Sequence, residues 1–328
     1  MTAPTAPGEQ TVLDKPRSNP FSRRSGANAR KTVTFGDGSA VTGSPMWSLI
    51  SVFVVIVLWY LATRQWGLPS DFKALADQND WNAVEVVRNC EDTPGCSFTE
   101  VLNDRTLPDP WDVVLAFKTL ATDGYRNVSL WDHIFASLRR VFLGLSLGVL
   151  VGVPVGLAMG LSNTLRGIFD PIVEFLRPVP PLAFIALVIV WFGIFEKGKV
   201  FIIFFAALWI MIISSRSGVL SVKVSKVHAA YSLGASKMQI LKNVILPNAL
   251  PEILTGLRVA LGVGWGTLIA AEIIAAQEGL GAMTWSASKF LRMDVVVAGI
   301  IMIGSMGFVM DILMRKLEDR LIPWRGKG

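Results

Sequence analysis

Long apolar stretches constrain this chain more than any other feature of its sequence. Hydrophobic residues make up 52% of its 328 residues, and the mean hydropathy is +0.50, both well above an ordinary soluble domain. Each stretch approaches or exceeds the length that crosses a hydrocarbon core of about 30 Å. The predicted spans are residues 46–63, 141–161, 168–194, 200–219, 253–276 and 295–314. We therefore predict an all-α membrane protein with six transmembrane helices.

Charged residues between the spans predict the orientation of the chain. Residues 1–45 carry six Lys/Arg against three acids and no apolar core, which indicates a disordered cytoplasmic tail rather than a signal peptide. Residues 64–132 carry twelve acids against six bases and are predicted to be an extracytoplasmic insert with interfacial helices. Residues 319–328 are basic and predicted to be a second cytoplasmic tail.

The only two cysteines, Cys90 and Cys96, lie in the predicted insert and enclose five residues. An oxidising extracytoplasmic side favours a small disulfide loop, and two free thiols are the alternative. Two cysteines at this spacing without a histidine cluster do not form a zinc site, so no metal site is predicted.

Glycines and prolines distinguish the second and third spans. Glycine recurs every four residues from Gly144 to Gly160, which predicts close packing against another helix, with a pore lining as the alternative. Further glycines in the fifth span, at 256, 262, 264 and 266, predict the same. The third span is interrupted by RPVPP, residues 177–181, and discontinuous helices often mark the substrate path of a transporter.

Charged groups within the spans are functional candidates by default. Asp170, Glu174 and Arg177 share a helical spacing, and the alternative is an intrahelical Glu174–Arg177 pair. Glu272 either faces a wet cavity or pairs with another helix, and Arg139 and Arg140 are predicted to snorkel at the outer interface. The candidates for the translocation path are Arg177, Pro178, Pro180, Pro181, Trp265 and Glu272.

A polar stretch at residues 226–251 separates the fourth and fifth spans and is predicted to be cytoplasmic. It predicts two short helices, because Gly234 suits the left-handed end of the first helix and Ser236 with Gln239 forms a capping box for the second. Pro247 and Pro251 are predicted to mark its end. A hairpin with such defined ends suits a surface that another protein binds.

The same stretch resembles the loop that marks permease subunits of bacterial ABC importers. Residues Ala229, Ala230, Gly234, Val244, Leu246 and Pro247 match that motif, whereas His228 stands where the family has glutamate. Further segments, SLRRVFLGLSLGVLVGVPVGLAMGLS, DPIVEFLRPVPPLAFIALVIVWFG and LPNALPEILTGLRVALGVGWGTLIAAEIIAA, resemble the nitrate/sulfonate/taurine branch, and most of all the taurine importer permeases. The resemblance covers about residues 107–325.

The resemblance implies a type I importer (MetI-like) permease fold, with a core at residues 133–318 and a cytoplasmic coupling loop at 220–251, in a bacterial inner membrane. It also implies import of a taurine-like sulfonate or, alternatively, of nitrate, bicarbonate or another small solute. The coupling residues it implies are His228, Ala229, Ala230, Gly234, Ala235, Ser236 and Pro247.

The implied partners are two ATPase subunits, a second copy of the permease and an extracytoplasmic solute-binding protein. The chain has no GxxxxGK[ST] phosphate loop, so it is predicted to bind no cofactor itself, with ATP and Mg²⁺ held by the ATPases.

Three other classes of protein fit the sequence less well. The hairpin also resembles a DNA-binding helix-turn-helix, but the neighbouring spans hold it close to the bilayer, so no nucleic-acid partner is predicted. A secondary transporter driven by an ion gradient predicts inverted repeats and paired midplane acids, which the sequence lacks. A membrane enzyme is disfavoured because His133 and His228 fall on opposite sides of the predicted membrane.

Overall fold

A computed structural model of the chain describes residues 106–324 continuously. It also describes 49–64, the backbone of 32–34, 37–41 and 45–48, and isolated positions between 65 and 105. The helices are α1 Pro45–Thr63, α2 Pro110–Thr122, α3 Leu130–Leu161, α4 Asn163–Leu176, α5 Ile185–Phe192, α6 Glu196–Leu220, α7 Val224–Ser232, α8 Lys237–Ile240, α9 Leu246–Ala275, α10 Leu280–Lys289 and α11 Met293–Leu321. A 3₁₀ turn, Pro181–Phe184, precedes α5, and a π-helical turn, Leu241–Ile245, joins α8 to α9.

The chain divides into two compact units, residues 1–57 and 58–328. In the first unit, β1 Thr32–Thr34 and β2 Asp37–Val41 pair antiparallel. These strands fall within the tail that is predicted to be disordered at 1–45, and the β-branched residues at 32–34 favour extended backbone. The rest of residues 1–44 lies outside the described residues, as does most of 65–105.

The glycine row of α3 packs against α6, as predicted. A Cβ added at Gly144 would lie 2.6 Å from the Cβ of Ile203, and one at Gly160 would lie 2.7 Å from the Cβ of Val219. Between these two contacts the residue number increases by sixteen on each helix, so α3 and α6 run parallel and in register over about 24 Å. Only glycine permits this approach, because real Cβ atoms need more room than these distances allow.

Adding methyl groups to this row is expected to destabilise the protein. Gly156→Ala would place its Cβ 2.8 Å from the Cβ of Ser215 and against the backbone of Ile212, so α3 and α6 must separate at a cost of about 1–3 kcal/mol. Gly304→Ala is the matched control, because a Cβ at Gly304 meets no described atom within 4 Å and Ala is the better helix former. Thermal unfolding in detergent should show a lower Tm for Gly156→Ala alone. Equal Tm values would contradict the packing.

The connection between α3 and α6 must return across the full thickness of the bundle, because the two helices are parallel. It does so as a broken element, with α4 and the segment Pro181–Phe192 inclined by 87° to each other. The third predicted span, 168–194, is therefore broken into two helices at residues 177–181, as the sequence predicted. The residues RPVPP stand at the break, since proline removes backbone donors and the residue before it is biased away from the helical region.

The remaining long helices pack antiparallel. Gly218 of α6 lies against Ala249, and Gly256 lies against Ser214, so α9 runs opposite to α6. Trp265 of α9 donates to the Ile303 carbonyl at 3.2 Å, and Arg258 contacts Asp311, so α11 runs opposite to α9. The hairpin formed by α7 and α8 thus lies at the same end of the bundle as Leu161, and residues 140, 196 and 272 lie at the other end.

Two predicted boundaries differ from the structure. The apolar helix does not start at 253: it is continuous over Lys237–Ile274, so Pro247 and Pro251 lie inside it and do not end the polar stretch. The π turn directly before Pro247 loosens the hydrogen-bond ladder where proline cannot join it. At the other end, α11 extends to Leu321 and includes the start of the predicted tail at 319–328.

By length and composition four described helices can cross a membrane: α3, α6, the continuous 237–274 helix and α11. The bent pair makes five, and α1 is a shorter apolar helix over its described residues Leu49–Thr63. Large apolar side chains on these helices face outward, including Leu150 at 70% and Val190 at 80% exposure. Soluble proteins rarely expose apolar surface on this scale, whereas lipid covers it without cost.

Candidate coupling and translocation site

The hairpin of α7 and α8 is closed by hydrogen bonds that fix its turn. Gly234 has φ +80°, and its N–H donates to the Tyr231 carbonyl at 2.9 Å, while the Ala235 N–H donates to the Ala230 carbonyl at 3.1 Å. These two bonds are the Schellman motif, in which a left-handed residue satisfies the last carbonyls of a helix. The predicted left-handed conformation of Gly234 at the end of the first helix is thus confirmed.

The second helix begins with the predicted capping box. The Ser236 Oγ accepts from the Gln239 N–H at 3.4 Å, and the Gln239 Oε1 accepts from the Ser236 N–H at 2.8 Å. Lys226 donates to the Asn248 side chain at 2.7 Å, which ties α7 to the start of α9. The hairpin is therefore rigid and joined without a flexible linker to both α6 and α9.

The tip of the hairpin carries exposed apolar side chains. Leu233 is 88% and Met238 69% exposed, and Tyr231 lies beside them. His228, Ala229, Gly234 and Ser236 are exposed as well, while Ala230, Ala235 and Pro247 are half-buried. Residues 197–251 contain no acid, so this tip is apolar and basic. Such a surface, held rigid at the end of two long helices, suits the groove of a partner protein.

A buried polar cluster lies at the opposite end of the bundle. Arg140 on α3 is 3% exposed and donates to Glu272 Oε1 on α9 at 2.7 Å. The same guanidinium makes two bonds to Glu196 on α6, at 2.6 and 2.7 Å. Arg140 therefore does not snorkel as predicted, because two carboxylates hold it between three helices. Only Arg139 has the predicted exposure, at 65%, and it lies 3.8 Å from Glu196.

Glu272 is completely buried and pairs with another helix, which was one of its two predicted environments. Its carboxylate accepts from the Ser137 hydroxyl at 2.8 Å and from the Gly281 N–H at 2.9 Å, in addition to Arg140. His133 adds a neighbouring link, since its Nδ1 lies 3.0 Å from the Gly279 nitrogen. The cluster thus fixes the ends of α3, α6 and α9 and the start of α10 to one another.

The candidates for the translocation path differ in their exposure. Arg177, Pro178 and Pro180 are exposed at the break between α4 and α5, and Pro181 is half-buried. Trp265 packs in the α9–α11 interface and is 8% exposed, far along the chain from the break. The role of these residues in a translocation path stays a prediction.

Ion pairs at the other end of the bundle also differ from expectation. Asp170 pairs with Arg216 on α6 and with Arg166, at 3.2 Å, on its own helix. Among the described residues, Glu174 and Arg177 do not form the intrahelical pair offered as the alternative reading. The Asp170–Arg216 pair joins α4 to α6, and sequence spacing alone could not have identified it because its partners are 46 residues apart.

Cys90 and Cys96 form a disulfide with a Cα–Cα distance of 5.3 Å, as predicted. Cys90 is buried. The chain therefore has no free thiol, which makes an introduced cysteine a unique label. The predicted extracytoplasmic insert around this disulfide lies mostly outside the described residues.

A bundle of parallel and antiparallel helices long and apolar enough to span a membrane, with an exposed hairpin at one end, is the architecture of a multi-pass membrane protein. Its sequence specifies which kind. Residues 148–323 match the family described as "Binding-protein-dependent transport system inner membrane component", and the chain belongs to that family.

Relatives agree with the family match. The taurine transport system permease protein TauC of Escherichia coli (strain K12) is 50% identical over 70% of this chain and 83% of its own. The putative aliphatic sulfonates transport permease protein SsuC of the same organism is 40% identical over 81% of this chain and 93% of its own. A structure of the MetNI methionine ABC transporter matches the fold with a TM-score of 0.52 and 20% identity, over 59% of this chain and 94% of that one.

The chain is therefore a permease subunit of an ABC importer, in the branch that contains the taurine and sulfonate permeases. It is a multi-pass protein of the inner membrane with the MetI-like fold, and ATP hydrolysis belongs to partner subunits. A binding protein and an ATPase are the partners that this class of transporter requires.

Proposed function

We propose that two copies of this chain form the translocation pathway of an ATP-driven importer for taurine or a closely related sulfonate. The observation that carries the proposal is the 50% identity to a taurine permease over most of both chains. The rigid hairpin, exposed at one end of the bundle, supports the coupling to ATP hydrolysis. An isologous pair of permeases presents two such hairpins, one for each of two ATPase subunits.

The hairpin transmits movements of the ATPase to the membrane-spanning helices of the pathway. Its tip, around Leu233 and Met238, seats in the ATPase, with His228, Ala229, Ala230, Gly234, Ala235, Ser236 and Pro247 forming or supporting the contact. Because α6 ends only a few residues before α7, and the helix from Lys237 is continuous to Ile274, a displacement of the tip moves both spans. ATP and Mg²⁺ bind to the ATPase, and this chain binds no cofactor.

The proposed orientation places the ATPase at the hairpin end of the bundle. The hairpin and both termini are cytoplasmic, and the cluster around Arg140 is extracytoplasmic, where the binding protein releases its solute. Arg177 and the prolines 178, 180 and 181 line part of the path at the break in the third crossing. Broken helices expose backbone groups that a polar solute can contact at membrane depth.

An aliphatic sulfonate without an amino group is the second candidate solute, since SsuC is 40% identical over a larger share of this chain. The two solutes share the sulfonate and differ in the ammonium group. Nitrate and bicarbonate lack the alkyl stem that both sulfonates present.

The test is transport by the whole complex in proteoliposomes with its ATPase and binding protein. We expect ATP-dependent uptake of labelled taurine that unlabelled short alkanesulfonates inhibit and nitrate does not. Uptake driven by an ion gradient without ATP would contradict the importer mechanism. ATP-dependent uptake that nitrate inhibits and sulfonates do not would contradict the solute.

A further inference from the structure

An open cavity of about 560 Å³ lies at the start of α6, at the end of the bundle opposite the hairpin. It is lined by Trp191, Phe192, Phe195, Glu196 and Lys197. Three aromatic rings from the end of α5 and the following turn form its wall, and two adjacent charged residues lie at its edge. None of these residues is among the site candidates that the sequence indicated.

The carboxylate in this cavity is already neutralised. Glu196 Oε1 accepts from Arg140 at 2.7 Å and from Lys199 at 2.8 Å, and Oε2 accepts from Arg140 at 2.6 Å. Because both of its carboxylate oxygens accept from cationic side chains, the charge of Glu196 is compensated within the protein. The cavity therefore gains no net negative charge from it.

Lys197 differs from Glu196, because its charge is not compensated in this way. It is exposed, and among the ion pairs of the described residues none includes it. Of the two charged residues that line the cavity, Glu196 is paired with Arg140 and Lys199, whereas Lys197 has no carboxylate partner among the described ion pairs. Positive charge is thus in excess, and the aromatic wall lowers the local dielectric and so strengthens its attraction for an anion.

The geometry suits a small organic anion with a short alkyl stem. An ammonium has three donors for the oxygens of an oxyanion, and the rings of Trp191 and Phe195, 57% and 72% exposed, can cover the methylene groups. If the stem ends in an ammonium, the face of Trp191 can hold it by cation–π attraction. A single exposed lysine gives weak binding, which favours onward release of the solute.

We infer that this cavity is a transient subsite in which Lys197 holds the sulfonate of the solute after the binding protein releases it. The inference rests on the proposed function, since it assigns that solute a place in the chain. If Lys197 holds the solute less well, more of the solute diffuses back out of the cavity before the pathway closes. The cavity lies at the end of the bundle opposite the hairpin proposed to bind the ATPase, so we expect the rate of ATP hydrolysis to be unchanged.

Lys197→Met is the test, in the reconstituted complex with its ATPase and taurine-loaded binding protein. We expect the taurine imported per ATP hydrolysed to fall about fivefold, the size of effect that one exposed charge provides, with the stimulated ATPase rate unchanged. Lys197→Arg keeps the charge and should restore most of the ratio. Lys289→Met removes an exposed lysine near the α10–α11 turn, 5.6 Å from the Trp285 ring, and should leave the ratio unchanged.

The outcomes separate the subsite from the proposed function. If wild-type protein imports taurine and Lys197→Met transports as many molecules per ATP, the subsite is wrong and the function stands. An equal loss in Lys197→Met and Lys197→Arg would also overturn the subsite, because the charge would then not matter. If wild-type protein imports no sulfonate, the proposed function itself fails.

Discussion

Arg140→Met should lower the stability of the protein by about 3–5 kcal/mol, the cost of leaving a buried charge without its partner. Arg140 and Glu272 are 3% and 0% exposed and lie 2.7 Å apart. Removing the guanidinium leaves the Glu272 carboxylate with only the Ser137 hydroxyl and the Gly281 N–H as donors. The loss of Arg140 destabilises the charge of Glu196 less, because Glu196 is partly exposed and keeps its ion pair with Lys199.

Thermal unfolding of the purified protein in detergent measures this effect, and we expect a fall in Tm of roughly 5–10 °C. Arg139→Met is the matched control: it removes the neighbouring arginine, which is 65% exposed and 3.8 Å from Glu196, and exposed pairs contribute about 0–1 kcal/mol. The double variant Arg140→Met/Glu272→Met should recover part of the loss, since no buried charge remains there unpaired. Equal Tm values for the two single arginine variants would contradict the burial of Arg140.

Gly234→Val should abolish most of the coupling between ATP hydrolysis and transport while the protein still inserts in the membrane. Gly234 has φ +80°, and a left-handed backbone costs an L-residue roughly 1–2 kcal/mol, more for a β-branched one. No described atom lies within 4 Å of the added Cβ, so the effect comes from the backbone and not from a clash. The turn changes conformation, and the exposed Leu233 leaves its position.

Transport and stimulated ATP hydrolysis of the reconstituted complex measure the coupling, and we expect both to fall about tenfold or more, as a change of about 1.4 kcal/mol in docking affinity implies. Gly234→Asn is the control, because asparagine tolerates the left-handed region, and it should retain most activity. Normal transport by Gly234→Val would show that this turn is not part of the coupling surface. An equal loss in Gly234→Asn would point to the added side chain rather than to the backbone.

The sequence predicted those features that depend on local chemistry. The hairpin follows from a glycine in the left-handed region and from the Ser236–Gln239 box, each of which acts within a few residues. The glycine row of α3 was predictable for a similar reason, since a four-residue repeat lies on one helix face. In the fifth span the prediction of close helix packing was right for Gly256 and wrong for Gly262 and Gly266, where an added Cβ would meet no described atom within 4 Å.

Features that depend on distant partners could not be predicted. Arg140 and Glu272 are 132 residues apart, and nothing in either neighbourhood indicates that they meet. The 87° bend in the third crossing depends on how α4 and α5 pack against α6, and the prolines fix only its place. The continuous helix through Pro247 needs the π turn before it, which no single residue signals.

Cross-linking from the hairpin tip tests the central claim most directly, namely that this permease is driven by an ATPase bound to that hairpin. Leu233→Cys introduces the only free thiol, since Cys90 and Cys96 are joined, and it can carry a thiol-linked photoreactive benzophenone. Phe290→Cys is the control, an exposed site in the turn between α10 and α11 at the opposite end. In inner-membrane vesicles that contain the whole complex, we expect Leu233→Cys to cross-link to the ATPase subunit and Phe290→Cys not to. An ATPase cross-link from Phe290→Cys and none from Leu233→Cys would contradict both the orientation and the coupling role.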